Sequence, residues 1–494
     1  MVDAGGQVFN VKAYGAKCDG TTDDMAAIQA AINAASLVSG TVLFPPCTSN
    51  YIVKGFLTFP EYVKLKSNGG AVLDFTGYSA WAANQTYDLN QVILDSNGNG
   101  EQVTTAGTAG ATVPAWSTTV GGTTQDGTAI LTDEGSPSCG TGTSSTSAGG
   151  LNYNAGFIRY RQGNNIINGL SLVAGNPLAG TCILNIDNNG GETSGWRVTN
   201  TSIIGGSTTS TNTGIYAYAV DSFQIDHNVL EYLAADISFG AHTIAAGLIG
   251  PKNTLSWGTD NSQFLLSFGA GGLNCFNVSV VGNTFEGYGS TNGISDGCAN
   301  GSLIAYNYMG DPSATGGRWI QGGDDVVANY IAGNGTNVTG LYNVGVAINN
   351  WVYAPSFLAS GGIYIANIFY VGTPTGCAVS LSTGGIFDFE GNTFYNTAQN
   401  SVCGYANGPN WTVKNWGTNT DNTTAGLSSN VEALLGQLAP QAFAGLPACS
   451  SQYEGNMEPV TDSSTATVGA TITGGGTNHV LGYCDGTNWT VMAQ

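Results

Sequence analysis

Six acidic side chains, Glu231, Asp236, Glu286, Asp296, Asp324 and Asp325, fall within one stretch of a chain in which only 9% of residues are charged. Scarce carboxylates gathered in this way suit acid–base chemistry. Hydrolysis of a glycosidic bond needs one carboxyl group to donate a proton and a second to act as base or nucleophile. Arg318 and His242 lie in the same stretch and can bind hydroxyl groups or tune a neighbouring carboxyl. Trp319 and Tyr288 offer flat faces for a sugar ring. Each acid taken singly also reads as a solvated turn residue or an Asx-type cap. Asp226 and His227 are adjacent in what reads as a strand. Neighbouring strand residues face opposite sides, so these two are not expected to act together. β-Elimination would instead need a base and a cation beside a uronate, and Arg197, Lys252 and Arg318 are the basic candidates. Calcium held by Asp and Asn is the other source of charge.

These residues need a scaffold, and its clearest element runs from Tyr14 to Pro46. Thr22, Asp23 and Asp24 precede an apolar run and can cap a helix start. Ile28, Ala31, Ile32 and Ala35 then recur at helical spacing. Ser39-Gly40 ends the helix, and Val42-Leu43-Phe44 reads as a strand stopped by Pro45-Pro46. One amphipathic helix at the front of a long chain with no second convincing one suits a plug on an open end.

From Phe157 onward an Asn followed by apolar residues recurs at Asn200, Asn228, Asn283, Asn307, Asn329, Asn367 and Asn392. Spacings without an insertion run from 22 to 28 residues, the period of a three-stranded solenoid coil. Asn tolerates left-handed backbone, and its amide can bond to the next Asn up the stack. On that phasing the first strand of each coil reads 214–220, 236–241, 293–297, 318–323, 341–346 and 377–381. Adjacent coils lie about 4.8 Å apart, so acids one coil apart fit retaining geometry and acids two coils apart lean toward inverting geometry.

The 14–46 segment resembles the N-terminal cap and first rung of pectate-lyase-like right-handed parallel β-helix proteins. That group includes polygalacturonase-related hydrolases, polysaccharide lyases and phage tailspike depolymerases. The resemblance implies an all-β chain: a right-handed single-stranded parallel β-helix with an N-terminal capping helix and a C-terminal β cap. It also implies a groove along the first strand of each coil and the turn before it, where Glu231, Asp236, Glu286 and Asp296 map, with Asp324 and Asp325 at the far end of the following strand. Gly322-Gly323-Asp324-Asp325 is similar to the paired-aspartate motif of polygalacturonases, although no Asn-Thr-Asp or Gly-His-Gly element stands at neighbouring coils. The expected organisation is cap and first rungs over 1–77, a small inserted β module over 78–150, the β-helix over 151–416, and a C-terminal segment with β cap over 417–494. Within the module, Trp81 and Trp116 read as the core of a tiny domain, with a sugar platform as the alternative. The module ends in a Gly/Ser/Thr-rich run. Residues 430–446 read as a short helix, and Trp489 as packed.

Composition narrows the partners. Lys and Arg number 11 against 32 Asp and Glu, a net charge of −21. A surface this acidic repels nucleic acid and anionic lipid, and favours a neutral or weakly charged polysaccharide over a polyanionic one. No apolar run is long enough to cross a membrane. Ten widely spaced cysteines without a CxxC pair fit a disulfide framework, in successive pairing if neighbours in sequence are neighbours in space. The start MVDAGGQ lacks an apolar signal core, as a secreted protein with its signal removed would. The expectation is therefore an extracellular polysaccharide-degrading enzyme: an endo-acting glycoside hydrolase with no obligatory cofactor or metal site, calcium being the one ion it could recruit. The alternatives are a lyase of the same fold and a non-catalytic glycan-binding adhesin. A monomer is expected, with a tailspike-like trimer as the alternative.

Overall fold

The computed structural model describes all residues except 1–5, 76–78, 90, 136–155, 161–162, 175–181, 187–192, 207–211, 241–242, 257–263, 269–274, 288–291, 299–300, 312–316, 334–337, 354–355, 360–361, 371–377, 382–385, 397–400, 405–410, 424–430 and 435–439. The Gly/Ser/Thr-rich run, His242, Tyr288, Cys139 and Cys377 lie outside the described residues.

Three long parallel sheets make up the main unit, with 12, 15 and 13 strands. Each full coil contributes one strand to each sheet in turn. The coil at 213–231 is representative: Thr213–Ala217 enters sheet 1, Gln224–Asp226 sheet 2 and Val229–Glu231 sheet 3. Pairing is parallel and in register from coil to coil, as Leu184, Ile215, Ile237 and Leu266 show in sheet 1. Those aliphatic side chains are fully buried, so the solenoid interior is a stack of apolar columns. The expected first strands coincide with sheet 1, as at Ala235–Phe239, Asn292–Asp296 and Gly317–Gln321. This is a right-handed parallel β-helix.

The corner between sheets 2 and 3 sets the register. Asn228, Asn253, Asn283, Asn307, Asn329, Asn350, Asn367, Asn392 and Asn419 stack there, each Nδ2 donating to the next Oδ1 at 2.9–3.0 Å. The same Nδ2 groups donate to sheet 2 carbonyls, such as Asn307 to Val280 at 2.8 Å. Coil lengths between successive members run from 17 to 30 residues. Asn200 is not a rung of this ladder. It occupies the exposed turn position at φ +50°, and Thr201 stands in the ladder register, donating its N–H to Asn228. Asn253, Asn350 and Asn419 belong to it, although their apolar flanks did not mark them in the sequence.

At the start, helix Met25–Ser36 buries Met25, Ile28, Ala31, Ile32 and Ala35 against Val8–Asn10, Thr41–Phe44 and Leu57–Phe59. Its capping differs from expectation in detail. Asp23 accepts the Met25 N–H at 3.1 Å, whereas Asp24 turns away to hold the Lys17 and Cys18 N–H groups. The inserted module is a five-stranded sheet with a core of Tyr87, Ile93, Val103, Ala109, Ala129 and Leu131. Trp81 and Trp116 pack against that core, and the Trp81 indole donates to Asp126 at 2.7 Å.

The second unit comprises residues 413–417 and 433–494. Met457–Ser463, Asn478–Cys484 and Trp489–Ala493 form an antiparallel sheet, and Trp489 is buried at its centre. Among its described residues, the expected helix over 430–446 is replaced by other structure. Val431–Leu434 is a strand and Phe443–Gly445 a single 3-10 turn. Cys18–Cys47, Cys275–Cys298 and Cys449–Cys484 are bridged, in the expected successive order. Among the described residues no helix is long and apolar enough to cross a membrane.

The ladder yields a first prediction. Asn329→Ala removes two donors and two acceptor contacts in a buried column and strands its partners. Stranded buried groups cost about 1–3 kcal/mol each, so a loss of about 3 kcal/mol is expected in urea unfolding. A loss under about 0.5 kcal/mol, the level of an ordinary surface change, would mean the amide stack does not hold the coils together.

Candidate active site

In sheet 1 the residues after the buried Ile237, Leu266, Ile294, Ile320 and Leu341 are Ser238, Ser267, Ser295, Gln321 and Tyr342, half-buried and facing outward. They form a polar strip up the outside of the sheet. Ser238 and Ser267 hydroxyls are 3.2 Å apart. At its upper end Arg318 donates to Gln321 Oε1 at 2.6 Å and lies 3.9 Å above the Tyr342 ring. Its guanidinium is held by a hydrogen bond and a cation–π contact, ready to meet hydroxyl or carboxylate oxygens.

The acids distribute over four places. Asp236 lies in a column with Ile183, Gly214, Leu265, Gly293 and Trp319, all buried. Its carboxylate is fully enclosed, and neither oxygen makes a well-formed hydrogen bond. Burial first, and the charge of Glu231 second, push its pKa well above the ordinary carboxylate value. Trp319 in the same column is 2% exposed, with its indole N–H enclosed. Glu231 and Glu286 stand in one outward column of sheet 3, two coils apart with Ser256 between them. That spacing is about 9.6 Å from the coil repeat. Asp325 is exposed at the start of a sheet 2 strand.

Asp296 and Asp324 come together at the corner between sheets 1 and 2. Asp296 ends its sheet 1 strand, 6% exposed, and accepts the Cys298 N–H at 2.8 Å. Asp324, one coil on and half-buried, exchanges bonds with Ser302: its N–H donates to the Ser302 hydroxyl at 3.1 Å, and its Oδ2 accepts the Ser302 N–H at 3.3 Å. Burial raises Asp296, with Asp324 adding to the shift; Ser302 and the Cys298 N–H oppose them, and its pKa settles at about 6. The intervening glycines have a steric reason. A side chain at Gly322 would collide with the Asp296 carbonyl, and both glycines have positive φ.

One constellation contradicts the sequence reading. His227 is not in a strand; it sits in the turn at φ +56°, which swings its ring back so that Nδ1 lies 2.8 Å from Asp226 Oδ2. The same carboxylate takes two bonds from Arg197, both 2.8 Å, and one from Thr199 at 2.9 Å. Burial works to raise Asp226, yet Arg197, His227 and Thr199 together outweigh it and hold its pKa below the usual value. Arg197 and Thr199 line a groove of about 740 Å³ outside sheet 2, together with Lys64, Lys66, Asn164 and Asn168. The signal missed in the sequence was the left-handed turn that precedes the ladder positions from Asn228 to Asn392.

Among the described residues no three Asp, Glu, His or Cys side chains surround a common metal-sized point. A family model described as rhamnogalacturonase A/epimerase, pectate lyase-like, matches residues 8–231. The chain is a right-handed parallel β-helix, and over the matched residues it is similar to the pectate-lyase-like family. This β-helix protein is similar to the solved Azotobacter vinelandii mannuronan C-5 epimerase AlgE4 A-module at 14% identity, covering 87% of this chain and 98% of that one, with a TM-score of 0.46. It is also similar to the catalytic unit of a GH87 α-1,3-glucanase from Streptomyces thermodiastaticus, at 13% identity over 88% of this chain and 70% of that one, TM-score 0.41. A 73-residue segment is 38% identical to the non-secreted LysM effector LysM19 of Penicillium expansum. That match covers 15% of the β-helix protein and 6% of the effector's length.

Because the Asp226 pKa is lowered, its stabilising contribution is present above the unfolded carboxylate value of 3.8 and lost as pH falls through the lower folded value. Asp226→Asn is therefore expected to lower the unfolding midpoint at neutral pH and to flatten its decline below pH 4. An unchanged acid profile in the variant would show that other carboxylates govern acid unfolding.

Proposed function

We propose that this β-helix protein is a glycan-cleaving enzyme, a glycoside hydrolase working at the sheet 1 corner. Asp296 serves as proton donor, Asp324 as the second carboxylate, and Arg318 with Gln321 and Tyr342 holds the sugar. The carrying observation is the Asp296 carboxyl, raised to about 6 and facing a second acid through Ser302. A raised carboxyl retains a proton that an ordinary aspartate has lost at mildly acidic pH, as general acid catalysis of glycoside cleavage requires. Acids on adjacent coils lie in the range of retaining geometry. The family match and the glycan-acting epimerase and glucanase among the similar structures accord with this reading. Extracellular working conditions accord with the disulfides. Polysaccharide is the expected partner.

A second reading has its own observation. Tyr308, Tyr330 and Trp351 stand exposed in one outward column of sheet 3, the two tyrosine rings 5.3 Å apart and nearly parallel. Such a ladder suits glycan binding without cleavage, as in an adhesin.

The test is a polysaccharide panel assayed for reducing ends and for the ultraviolet absorbance of unsaturated uronides. Asp296→Asn and Asp324→Asn are compared with Glu231→Gln, Asp236→Asn and Glu286→Gln. Loss of about 10²-fold or more in kcat/KM is expected for the first two. Since a protonated Asp296 is the active form, kcat/KM should fall as pH rises through about 6. Full activity in Asp296→Asn would overturn the assignment. Absorbance rising with reducing ends would make the enzyme a lyase, and binding without turnover would favour the adhesin reading.

A further inference from the structure

The inserted module carries a cluster of acids that the proposed chemistry does not use. Its three central strands are antiparallel, with Glu101 directly opposite Asp133 on one side and Ile93 on the other. Glu101 lies two residues before core residue Val103, and Asp133 two residues after Leu131, so both point to the core face. Asp95, two beyond Ile93, continues the same line. All three are enclosed: Glu101 and Asp133 are 0% exposed and Asp95 7%.

Their partners are unequal. Asp95 is satisfied as an anion, its Oδ1 accepting the Asn97 and Asn99 N–H groups at 2.8 and 2.7 Å. Asp133 uses one oxygen on the Gly135 N–H at 2.7 Å, and its Oδ2 has no partner. Both oxygens of Glu101 are buried and unpartnered. The charges acting on Glu101 are those of Asp133 and Asp95, both negative. An enclosed carboxylate without donor or counter-ion is among the costliest groups a core can hold. One proton shared between Glu101 and Asp133 would still leave two negative charges among the three acids. A divalent cation in place of that proton would cancel the charges of Glu101 and Asp133 and leave only that of Asp95, which its backbone donors already satisfy.

We propose that this corner is a binding site for a hard divalent cation, with calcium preferred, held between the opposed carboxylates of Glu101 and Asp133. The donor set is oxygen only, which selects calcium or magnesium over zinc or copper. Two carboxylates on one face of a sheet form a flexible pair, better suited to calcium's variable geometry than to magnesium's strict octahedron. Asp95 acts through its charge, because no three such groups already ring one point among the described residues.

The experiment uses the full chain stripped with EDTA, titrated with Ca²⁺, Mg²⁺ and luminescent Tb³⁺, with thermal unfolding at each step. Wild type is expected to bind Ca²⁺ with a midpoint of about 0.1–1 mM, in the range of extracellular calcium modules, and to gain several degrees in Tm. Glu101→Gln should weaken binding at least tenfold and abolish the Tm gain. Without metal, at a pH high enough to ionise Glu101, that variant should unfold at a higher temperature than wild type, because it removes an uncompensated buried charge while keeping the shape; this shows it is folded. Asp133→Asn should weaken binding similarly. A wild type indifferent to Ca²⁺ up to 10 mM, or a Glu101→Gln variant that responds as wild type does, would overturn the site and leave a shared proton as the compensating cation.

Discussion

The stacked asparagine amides at one corner of the coil are the constraint on which the rest depends. Each coil must turn sharply between sheets 2 and 3, and the residue before the ladder position adopts left-handed backbone: His227, Lys252, Tyr306, Ala328, Asn349 and Ala366 all have φ between +52° and +63°. For non-glycine residues this conformation costs roughly 1–2 kcal/mol. The amide column offsets it, because every Nδ2 meets both the next Oδ1 and a sheet 2 carbonyl. A coil of 17 residues and one of 30 are thereby locked into the same register at that corner.

Locked register turns one-dimensional sequence into columns. Aliphatic residues stack inside, the Ser238–Tyr342 strip runs up the outside of sheet 1, and Tyr308, Tyr330 and Trp351 run up sheet 3. The variation in coil length is carried away from the amide corner, so long connections leave the columns undisturbed. A chemical site on such a scaffold is assembled from consecutive coils at fixed spacing, as Asp296 and Asp324 are.

Buried acids show how local donors decide charge at nearly constant burial. Asp226 has an arginine, an imidazole and a hydroxyl, and stays ionised below the usual pKa. Asp296 has a backbone N–H and a hydroxyl and is raised. Asp236 and Glu101 have no well-formed hydrogen bond and are raised as well. Burial is common to all four; the number and charge of donors separate them.

The sequence by itself determined the capping helix, the recurring asparagine and the phase of the sheet 1 strands. Each of these rests on spacing, and spacing survives in one dimension. It also carried the successive cysteine pairing seen at three bridges, since sequence neighbours in a solenoid are spatial neighbours. Tertiary structure alone decided where the acids point. Glu231 and Asp236 are five residues apart in sequence, yet one faces outward from sheet 3 and the other is enclosed beyond the next turn. The turns likewise decided that His227 folds back onto Asp226, which strand alternation had ruled out. Left-handed φ at positions such as Lys252, Tyr306, Ala328 and Ala366 is imposed by the coil and not by residue type, and it was the backbone turn that brought His227 and Asp226 together.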